Sequence, residues 1–491
     1  MRINVDLDCG EGSPYLSADF HAESGGETID FEELKFLRGA PAAGRLIPGK
    51  GFFKIADADA ENFSRAQRTL EFFGGKIPRY MMFTLFDEFS RSAVSKSAEA
   101  WRRGVLSGSI TPKLADFLRP YQKDAVSRMS ALFSAGCGML LADEMGLGKT
   151  VQTLSFIDNF WDGESNFLIV CPASVIPVWR GEAAKFFPKI KCAELAQPSD
   201  LRGSKGVLWI SSYTQLRRNK QKLDGVSFHT AVLDEAQYIK NPDSKASAAC
   251  MSIKAGFRLA LTGTPIENRL LDMWSIFRWL MPGLLGSRAD FEKRLNADRD
   301  FPQTLKRQLA PFVLRRVKRE VLAELPAKNY VDLLCPMSAM QAQEYEKLLS
   351  RAREAVKTGA AADAKGRAGV LSLITRLRQA SCDPALLPWI GSDCPAGNSG
   401  KISALSDALS GIIESGSKAV VFSQFTKFLD RIKGEVKTRF KDAAIFELNG
   451  AVKDRSAPVD GFQNAAGAAV IFVSLRAGGT GITLTGADYV F

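Results

Sequence analysis

The sequence is poor in histidine and has no paired cysteine motif, and this speaks against the common protein metal centres. Two histidines occur in 491 residues, and the eight cysteines are scattered without a C-x-x-C pair. Structural zinc sites need closely spaced sets of such ligands, and disulfide frameworks need regular cysteine spacing. We therefore expect no structural metal and no disulfide framework.

Long apolar runs are missing as well. No run reaches the roughly 18 apolar residues that would indicate a membrane-spanning helix. The opening stretch "MRINVDLDCGEG" is acidic after Arg2 and lacks the apolar core of a signal peptide. With 46% apolar and 24% charged residues, the composition is typical of soluble globular proteins. We expect no membrane partner and a cytoplasmic location, nucleoid-associated in a bacterium or nuclear in a eukaryote.

The charge balance favours positive residues. Lysine and arginine number 65 against 54 acidic residues, which gives a net charge of +11 and a pI near 9.2. Such an excess is typical of polyanion binders, because neutralising phosphates releases condensed counterions. A generally basic soluble protein has the same balance, so charge alone does not choose between the two.

The length predicts several domains. Residues 1–112 carry no recognisable chemical motif, and we expect an accessory α+β domain there. From residue 113, short apolar runs bounded by turns alternate with helical patterns, which predicts buried strands of an open parallel sheet. The runs are "GMLLAD" (138–143), "FLIVCP" (167–172), "GVLWISS" (206–212), "TAVLDEA" (230–236) and "RLALTGT" (258–264).

The later part of the chain divides in two. Residues 283–400 contain long charged stretches typical of helices, interrupted by a predicted flexible loop at 357–369. A second α/β pattern begins near residue 401, with strands predicted at 418–425, 443–450 and 468–481. The expected order is an accessory domain (1–112), a first α/β lobe (113–282), a helical insertion (283–400) and a second α/β lobe (401–491).

The stretch "LLADEMGLGKTV" (140–151) follows the first predicted strand of the first lobe and resembles a phosphate-binding loop. Its glycine-rich turn opens a predicted helix, so backbone amides and the helix N-terminus favour an anion. Lys149 would reach the β- and γ-phosphates, and the Thr150 hydroxyl would bind Mg²⁺. The departure from the pattern is Asp143, which stands where the first glycine belongs.

A nucleotide site also needs acidic residues on a neighbouring strand, and "AVLDEAQ" (231–237) supplies them. Asp234 follows an apolar run, where it can hold Mg²⁺. Glu235 beside it can orient the attacking water. An acidic pair that merely caps a strand is common, but together with the glycine-rich loop it predicts an ATP site that uses Mg²⁺.

Six ordered stretches resemble the motifs of the Swi/Snf family of helicase superfamily two, over residues 114–491. They are "LRPYQ" (118–122), "DEMGLGKT" (143–150), "VCPASVIPVW" (170–179), "DEAQYIKNPDSK" (234–245), "LTGTPIEN" (261–268) and "SLRAGGTGITLT" (474–485). The resemblance implies two RecA-like P-loop lobes with a helical insertion between them. Phosphate loops of that superfamily commonly lack the first glycine, which accounts for Asp143.

The resemblance also implies residue roles. Catalysis falls to Lys149, Asp234 and Glu235, with Thr150 and Asp234 as the Mg²⁺ ligands and Gln122 at the adenine. The nucleotide-binding loop is Asp143, Glu144, Met145, Gly146, Leu147, Gly148, Lys149 and Thr150. The residues that would couple hydrolysis to DNA are Gln237, Thr262 and Thr264, for which polar capping of strand ends is the plain alternative.

Contacts with double-stranded DNA are implied for small and polar residues that follow strands in both lobes. The set is Pro172, Ala173, Ser174, Ser212, Tyr213, Ser423, Gln424, Gly478, Gly479 and Thr480. Such contacts to phosphate position a protein on DNA without reading its sequence. The basic stretch "LRRVKRE" (314–320) is expected to be helical, as a solvated face, a brace between lobes or a DNA-backbone contact.

The implied function is an ATP-dependent translocase on double-stranded DNA that remodels DNA structures or complexes with DNA-bound proteins. The sequence ends at Phe491, before the family's last motif, whose arginine would be worth roughly 10³–10⁵ in rate. We therefore expect nucleotide binding through the first lobe, an incomplete second lobe and weakened hydrolysis. The alternatives are a strand-separating helicase, or a nucleotide- and DNA-binding module with impaired hydrolysis.

Overall fold

The computed structural model divides the chain into two compact units, Met1–Pro326 and Ala327–Phe491. The finer division at residues 112, 282 and 400 stays a prediction. The structure describes all residues except 11–12, 14, 38–43, 75, 90–92, 108–111, 196–200, 202, 224, 264–269, 323–327, 359–363, 392–393, 453–454, 479–481 and 483.

The first unit begins with an α+β region, as predicted. Its strands are β1 (Ile3–Asp8), β2 (Tyr15–Ser24), β3 (Glu27–Ile29), β4 (Arg45–Ile47), β5 (Gly51–Phe53), β6 (Ile77–Pro78) and β7 (Ala93–Val94). Its helices are α1 (Phe31–Leu37), α2 (Asp57–Phe73), α3 (Met81–Glu88) and α4 (Lys96–Ser107). The main sheet has the order β3-β2-β1-β7, in which β1 and β2 are antiparallel, while β4 and β5 form a separate pair.

This α+β region shares one hydrophobic core with the residues that follow it. Buried polar groups tie the two together. The Tyr80 hydroxyl donates to the carbonyl of Pro282 at 2.9 Å, and the Thr84 hydroxyl donates to the carbonyl of Leu284 at 2.8 Å. Gln308 donates to the Thr84 hydroxyl at 2.7 Å. Hydrogen bonds that satisfy buried polar groups in this way fix the region against the first lobe.

A seven-stranded parallel sheet forms the first lobe, with the order β10-β11-β9-β12-β13-β8-β14. Its strands are β8 (Met139–Leu141), β9 (Phe167–Cys171), β10 (Cys192–Glu194), β11 (Leu208–Ser212), β12 (Ser227–Leu233), β13 (Lys254–Leu261) and β14 (Val313–Leu314). The five apolar runs identified in the sequence all form strands here. Every residue of β8, β9 and β11 is buried, as expected of strands covered on both faces.

Helices connect and cover these strands. They are α5 (Pro120–Ser134), α6 (Lys149–Asn159), α7 (Ile176–Phe186), α8 (Tyr213–Asn219), α9 (Lys245–Met251), α10 (Leu270–Leu280), α11 (Arg288–Ala297), α12 (Phe301–Leu309) and α13 (Lys318–Val321). Among the residues that the structure describes, no helix has both the length and the apolar character needed to span a bilayer.

The prediction of a helix through "LRRVKRE" is wrong. Helix α12 ends at Leu309, and after a short turn Val313 and Leu314 pair in parallel with Leu140 and Leu141 of β8. Helix returns only at α13, which is four residues long. The local charge pattern suits a helix, but a strand here also pairs with the backbone N–H and C=O groups at the edge of β8, which a helix would leave without partners. Tertiary pairing here overrides local propensity.

The second unit contains a four-stranded parallel sheet of order β16-β17-β15-β18. Its strands are β15 (Lys418–Ser423), β16 (Ala444–Leu448), β17 (Ala469–Ser474) and β18 (Tyr489–Val490). Its helices are α14 (Ala339–Lys357), α15 (Ala364–Cys382), α16 (Gly400–Glu414), α17 (Thr426–Arg439), α18 (Ser456–Asn464) and α19 (Leu475–Gly478). The three strands predicted after residue 401 are all found.

The loop predicted at 357–369 is wrong in its second half. Helix α15 already begins at Ala364, so residues 364–369 are helical, while 359–363 lie outside the described residues. Two features explain the helix. Ala, Lys and Arg are good helix formers, and the later turns of α15 bury Ala380 against Leu348 of α14.

Candidate nucleotide site

The loop between β8 and α6 has the backbone of an anion-binding turn. Strand β8 ends at Leu141 and α6 begins at Lys149, with Thr150 as its second residue. Gly146 and Gly148 have φ angles of +86° and +76°, a conformation that residues with a side chain rarely adopt. The glycines therefore allow the turn that presents backbone amides at the start of α6.

Asp143, the residue in place of the expected glycine, is fully buried and forms an ion pair with Arg316. Its Oδ1 accepts hydrogen bonds from the Arg316 backbone amide at 3.1 Å and from the guanidinium Nε at 3.0 Å. The Gln152 side chain lies 3.4 Å from the other carboxylate oxygen. Asp143 thus anchors the loop to the segment after β14. Sequence reasoning missed Arg316, because 173 residues separate the partners and no local signal links them.

The carbonyl of Leu147 fixes the middle of the loop. It accepts hydrogen bonds from the Tyr121 hydroxyl at 3.2 Å, from Gln122 Nε2 at 3.2 Å and from Gln152 Nε2 at 2.9 Å. The Oε1 atom of Gln122 accepts from the Arg119 amide at 3.0 Å. Gln122 therefore lies against the phosphate loop, at the start of α5, and its role at the adenine stays a prediction.

The lysine and the two carboxylates predicted for catalysis lie close together at the carboxyl end of the sheet. The Lys149 ammonium donates to the carbonyl of Asp143 at 2.8 Å. Burial lowers the pKa of Lys149, while the nearby charges of Glu235, Asp234 and Asp143 act in the opposite direction. Strands β8 and β12 both pair in parallel with β13, which lies between them. Their carboxyl ends therefore lie on the same side of the sheet.

Asp234 is held in a defined orientation. The Trp179 indole donates to its Oδ2 at 2.9 Å, and the Glu235 amide donates to its Oδ1 at 2.9 Å. Burial raises the pKa of Asp234 to about 6, while the Trp179 hydrogen bond opposes this rise. The Tyr213 hydroxyl donates to the Asp234 carbonyl at 2.8 Å. Neither Trp179 nor Tyr213 was predicted to hold Asp234.

A bound Mg²⁺ is compatible with these donors. Mg²⁺ in phosphate sites is usually held by one or two protein oxygens and by the phosphates themselves. The Asp234 carboxylate, which follows β12, and the Thr150 hydroxyl, near the start of α6, are oxygen donors of that kind. Within the described ranges, no three His, Cys, Asp or Glu side chains form a group that could hold a metal by themselves.

Glu235 begins a chain of hydrogen bonds that leads back to the phosphate loop. Its φ of +52° is the one positive φ of a non-glycine residue within the described part of the chain. Gln237 donates to Glu235 Oε2 at 2.7 Å, and the Thr262 hydroxyl donates to Gln237 Oε1 at 3.0 Å. The Thr262 amide donates to the Leu141 carbonyl at 3.1 Å. Thr264, the third residue predicted for coupling, lies outside the described residues.

The DNA-contact candidates of the first unit lie at the same sheet edge. Pro172, Ala173 and Ser174 lead from β9 into a short 3₁₀ turn. Ser212 caps α8, where its hydroxyl accepts from the Gln215 amide at 3.2 Å. Tyr213 is buried. Since the Ser212 and Tyr213 side chains already have partners within the lobe, their DNA roles stay predictions.

The candidates of the second unit follow its central strands. Ser423 is the last residue of β15, and its hydroxyl accepts a hydrogen bond from the Phe425 amide at 3.2 Å. The Oε1 atom of Gln424 accepts a hydrogen bond from the Arg378 guanidinium. Gly478 ends α19, and a Cβ there would lie 2.8 Å from the Phe422 ring. Gly479 and Thr480 lie outside the described residues.

Residues 121–386 match the family model described as the SNF2-related domain, and residues 400–491 match that of the helicase conserved C-terminal domain. An uncharacterized ATP-dependent helicase of Mycoplasma pneumoniae is 34% identical over 434 residues, which cover 84% of this chain and 41% of that protein. The putative ATP-dependent helicase/translocase YwqA of Bacillus subtilis is 33% identical over 402 residues, covering 78% and 43%.

The chain thus spans about two fifths of the length of these curated relatives. Among solved structures, the SWI2/SNF2 ATPase core of Sulfolobus solfataricus in complex with dsDNA is 30% identical, with a TM-score of 0.43, over 78% of this chain and 82% of that one. Because the match to the SNF2-related domain takes in more than half of the residues, this chain belongs to the SNF2 family.

Proposed function

We propose that this chain is the ATP-hydrolysing part of a translocase that moves on double-stranded DNA and remodels DNA structures or DNA-bound proteins. The observation that carries the proposal is the meeting of Lys149, Asp234 and Glu235 at one sheet edge. In P-loop ATPases these three residue types bind phosphate, hold the metal and orient the attacking water.

Each of these residues has a step to perform. Lys149 binds the β- and γ-phosphates beside the amides that follow Gly146, and Thr150 and Asp234 would hold Mg²⁺. A Mg²⁺ ion held by these two residues would supply positive charge that neutralises the charge developing on the phosphates. Glu235 orients the water and accepts its proton, and Gln237 fixes the Glu235 carboxylate through its 2.7 Å hydrogen bond.

Thr262 and Gln237 give the site a route to respond to DNA. They connect Glu235 to Leu141, so a shift of the strand ends changes the position of the carboxylate. Duplex DNA as the partner is supported by the net charge of +11 and by family membership. The four-part division at residues 112, 282 and 400 belongs to this proposal, with the second α/β lobe as the other half of the motor.

The test combines nucleotide binding with turnover of the 491-residue chain. We expect ATP binding that requires Mg²⁺ and is lost in Lys149→Ala, and phosphate release that rises when duplex DNA is added. Glu235→Gln should retain ATP and DNA binding while turnover falls. Wild-type protein that binds neither ATP nor duplex DNA would contradict the proposal.

The same preparation separates the neighbouring functions. A triplex-displacement assay reports movement along an intact duplex, and a tailed duplex reports strand separation. Displacement without unwinding supports the translocase, whereas unwinding supports a helicase. ATP and DNA binding without DNA-stimulated turnover would indicate a binding module.

A further inference from the structure

Residues 314–318, at the end of β14 and just after it, lie beside the first half of the phosphate loop. The Ala142 amide donates to the Leu314 carbonyl at 2.7 Å, and the Glu144 amide donates to the Arg316 carbonyl at 2.9 Å. The Lys318 amide donates to Glu144 Oε2 at 2.7 Å. Together with the buried pair of Asp143 and Arg316, these bonds fix the segment against the loop.

Lys318 is the residue of this segment that reaches the loop's glycine turn. A Cβ added at Gly146 would lie 3.0 Å from the Lys318 Nζ atom and 3.1 Å from its Cε. The ammonium group therefore lies directly against the turn that precedes Lys149. Within the described part of the chain, no carboxylate forms an ion pair with it.

The two lysines lie close enough for their charges to interact. Lys318 Nζ lies at the Gly146 turn, and Lys149 begins the helix three residues later, within range of the Lys318 charge. Two ammonium groups beside one glycine-rich turn repel each other, and a polyphosphate bound at that turn would attract both. Charge-assisted hydrogen bonds from two lysines to phosphate are stronger than bonds between neutral groups.

We propose that Lys318 is a second phosphate-binding lysine of the nucleotide site, which contacts the β- or γ-phosphate of ATP together with Lys149. This inference rests on the proposed function, because it names a further ligand of the same phosphates. It also assigns a role to the basic stretch 314–320 within the first unit, where Arg316 anchors the segment and Lys318 binds the nucleotide.

The test is Lys318→Met, which keeps the aliphatic stem and the backbone hydrogen bond to Glu144 but removes the charge. Arg319→Met is the matched control, because Arg319 is the exposed neighbour and the same charge is lost from the same segment. We expect Lys318→Met to weaken ATP binding by about tenfold or more. Arg319→Met should stay close to wild type, and Lys318→Arg should restore most of the affinity.

The choice of nucleotide locates the contact. ATP and ADP binding should both weaken in Lys318→Met if the β-phosphate is bound, and ATP alone if the γ-phosphate is bound. AMP binding should be unchanged in either case. Equal ATP affinity in wild type, Lys318→Met and Arg319→Met would overturn the inference, as would an equal loss for AMP.

The outcome separates this inference from the function on which it rests. Loss of ATP binding in Lys149→Ala together with normal binding in Lys318→Met would refute only the role of Lys318. Hydrogen exchange gives a second readout: ATP should slow exchange of residues 313–322 in wild type but much less in Lys318→Met. Urea unfolding of each variant shows whether the first unit remains folded.

Discussion

The hydrogen bond from Trp179 to Asp234 leads to a prediction about the pH dependence of Mg²⁺ binding. The indole N–H lies 2.9 Å from Oδ2 and favours the ionised carboxylate, while burial raises the pKa of that group to about 6. In Trp179→Phe an aromatic ring is kept at this position and the N–H donor is lost. A hydrogen bond to a charged group is worth about 1.5–3 kcal/mol, which corresponds to a rise in pKa of about one to two units.

The magnitude follows from this shift. At pH 7 a carboxyl with a pKa of about 6 is roughly nine-tenths ionised, and a pKa of about 7–8 lowers this fraction to between roughly one half and one tenth. Mg²⁺ requires the ionised form, so its affinity in the presence of ATP should fall by about two- to tenfold at pH 7. The deficit should shrink as the pH rises, because the variant carboxyl is then ionised as well.

The assay is a Mg²⁺ titration of ATP binding between pH 6 and 9. Trp279→Phe is the matched control, since its indole is also buried and donates at 3.0 Å, but to the carbonyl of Cys250. Folding stability should change with pH in the opposite direction to Mg²⁺ affinity, and so fall as the pH rises. Because the folded-state pKa of Asp234 lies above its ordinary value, the ionised group destabilises the protein above about pH 6, and this penalty disappears as the pH falls below about 4. A Mg²⁺ deficit of the same size at every pH would refute the reasoning.

Three further predictions concern anchors, loop geometry and coupling. Arg316→Met leaves the buried Asp143 carboxylate without its partner and should lower the free energy of unfolding of the first unit by about 3–5 kcal/mol. Arg431→Met removes the partner of the buried Asp383 carboxylate and should destabilise only the second unit. Urea titration combined with hydrogen exchange measures both effects. Gly148→Ala places a Cβ 2.5 Å from the Gln122 amide at a φ of +76°, so about 1–3 kcal/mol of strain should appear as weaker ATP binding in calorimetry. Thr262→Val should reduce DNA-stimulated turnover more than ATP affinity, because the hydroxyl that donates to Gln237, and through it positions Glu235, is removed; equal losses in the two assays would contradict that role.

Strands with complete burial were predictable because their apolar runs are continuous and bounded by turns. Strand β14 was missed, since its two apolar residues lie within a charged stretch that suits a helix locally. Its formation depends on the edge of β8, which lies far away in sequence. The start of α15 was missed for a related reason, because its two glycines, Gly366 and Gly369, are typical of a linker until packing against α14 stabilises the helix.

Within the nucleotide site, residues of the loop and of the acidic strand end could be identified because their spacing is short and fixed by function. Their supports could not be identified from the sequence. Trp179 and Arg316 belong to other elements, and each contacts the site only after the sheet has assembled. A buried hydrogen bond between distant residues leaves no periodic signal in the chain.

The pairing of β14 with β8 has a consequence for synthesis of the protein. During synthesis, β8 lies at an open edge of the sheet until residues 313–318 have left the ribosome. Until then Asp143 also lacks the guanidinium of Arg316 that pairs with it. Unpaired strand edges favour pairing with other chains. The nucleotide loop is therefore among the last parts of the first unit to mature, although it is encoded near the middle. A fragment that ends at residue 282 or 309 would keep every residue of the loop and still be prone to aggregation.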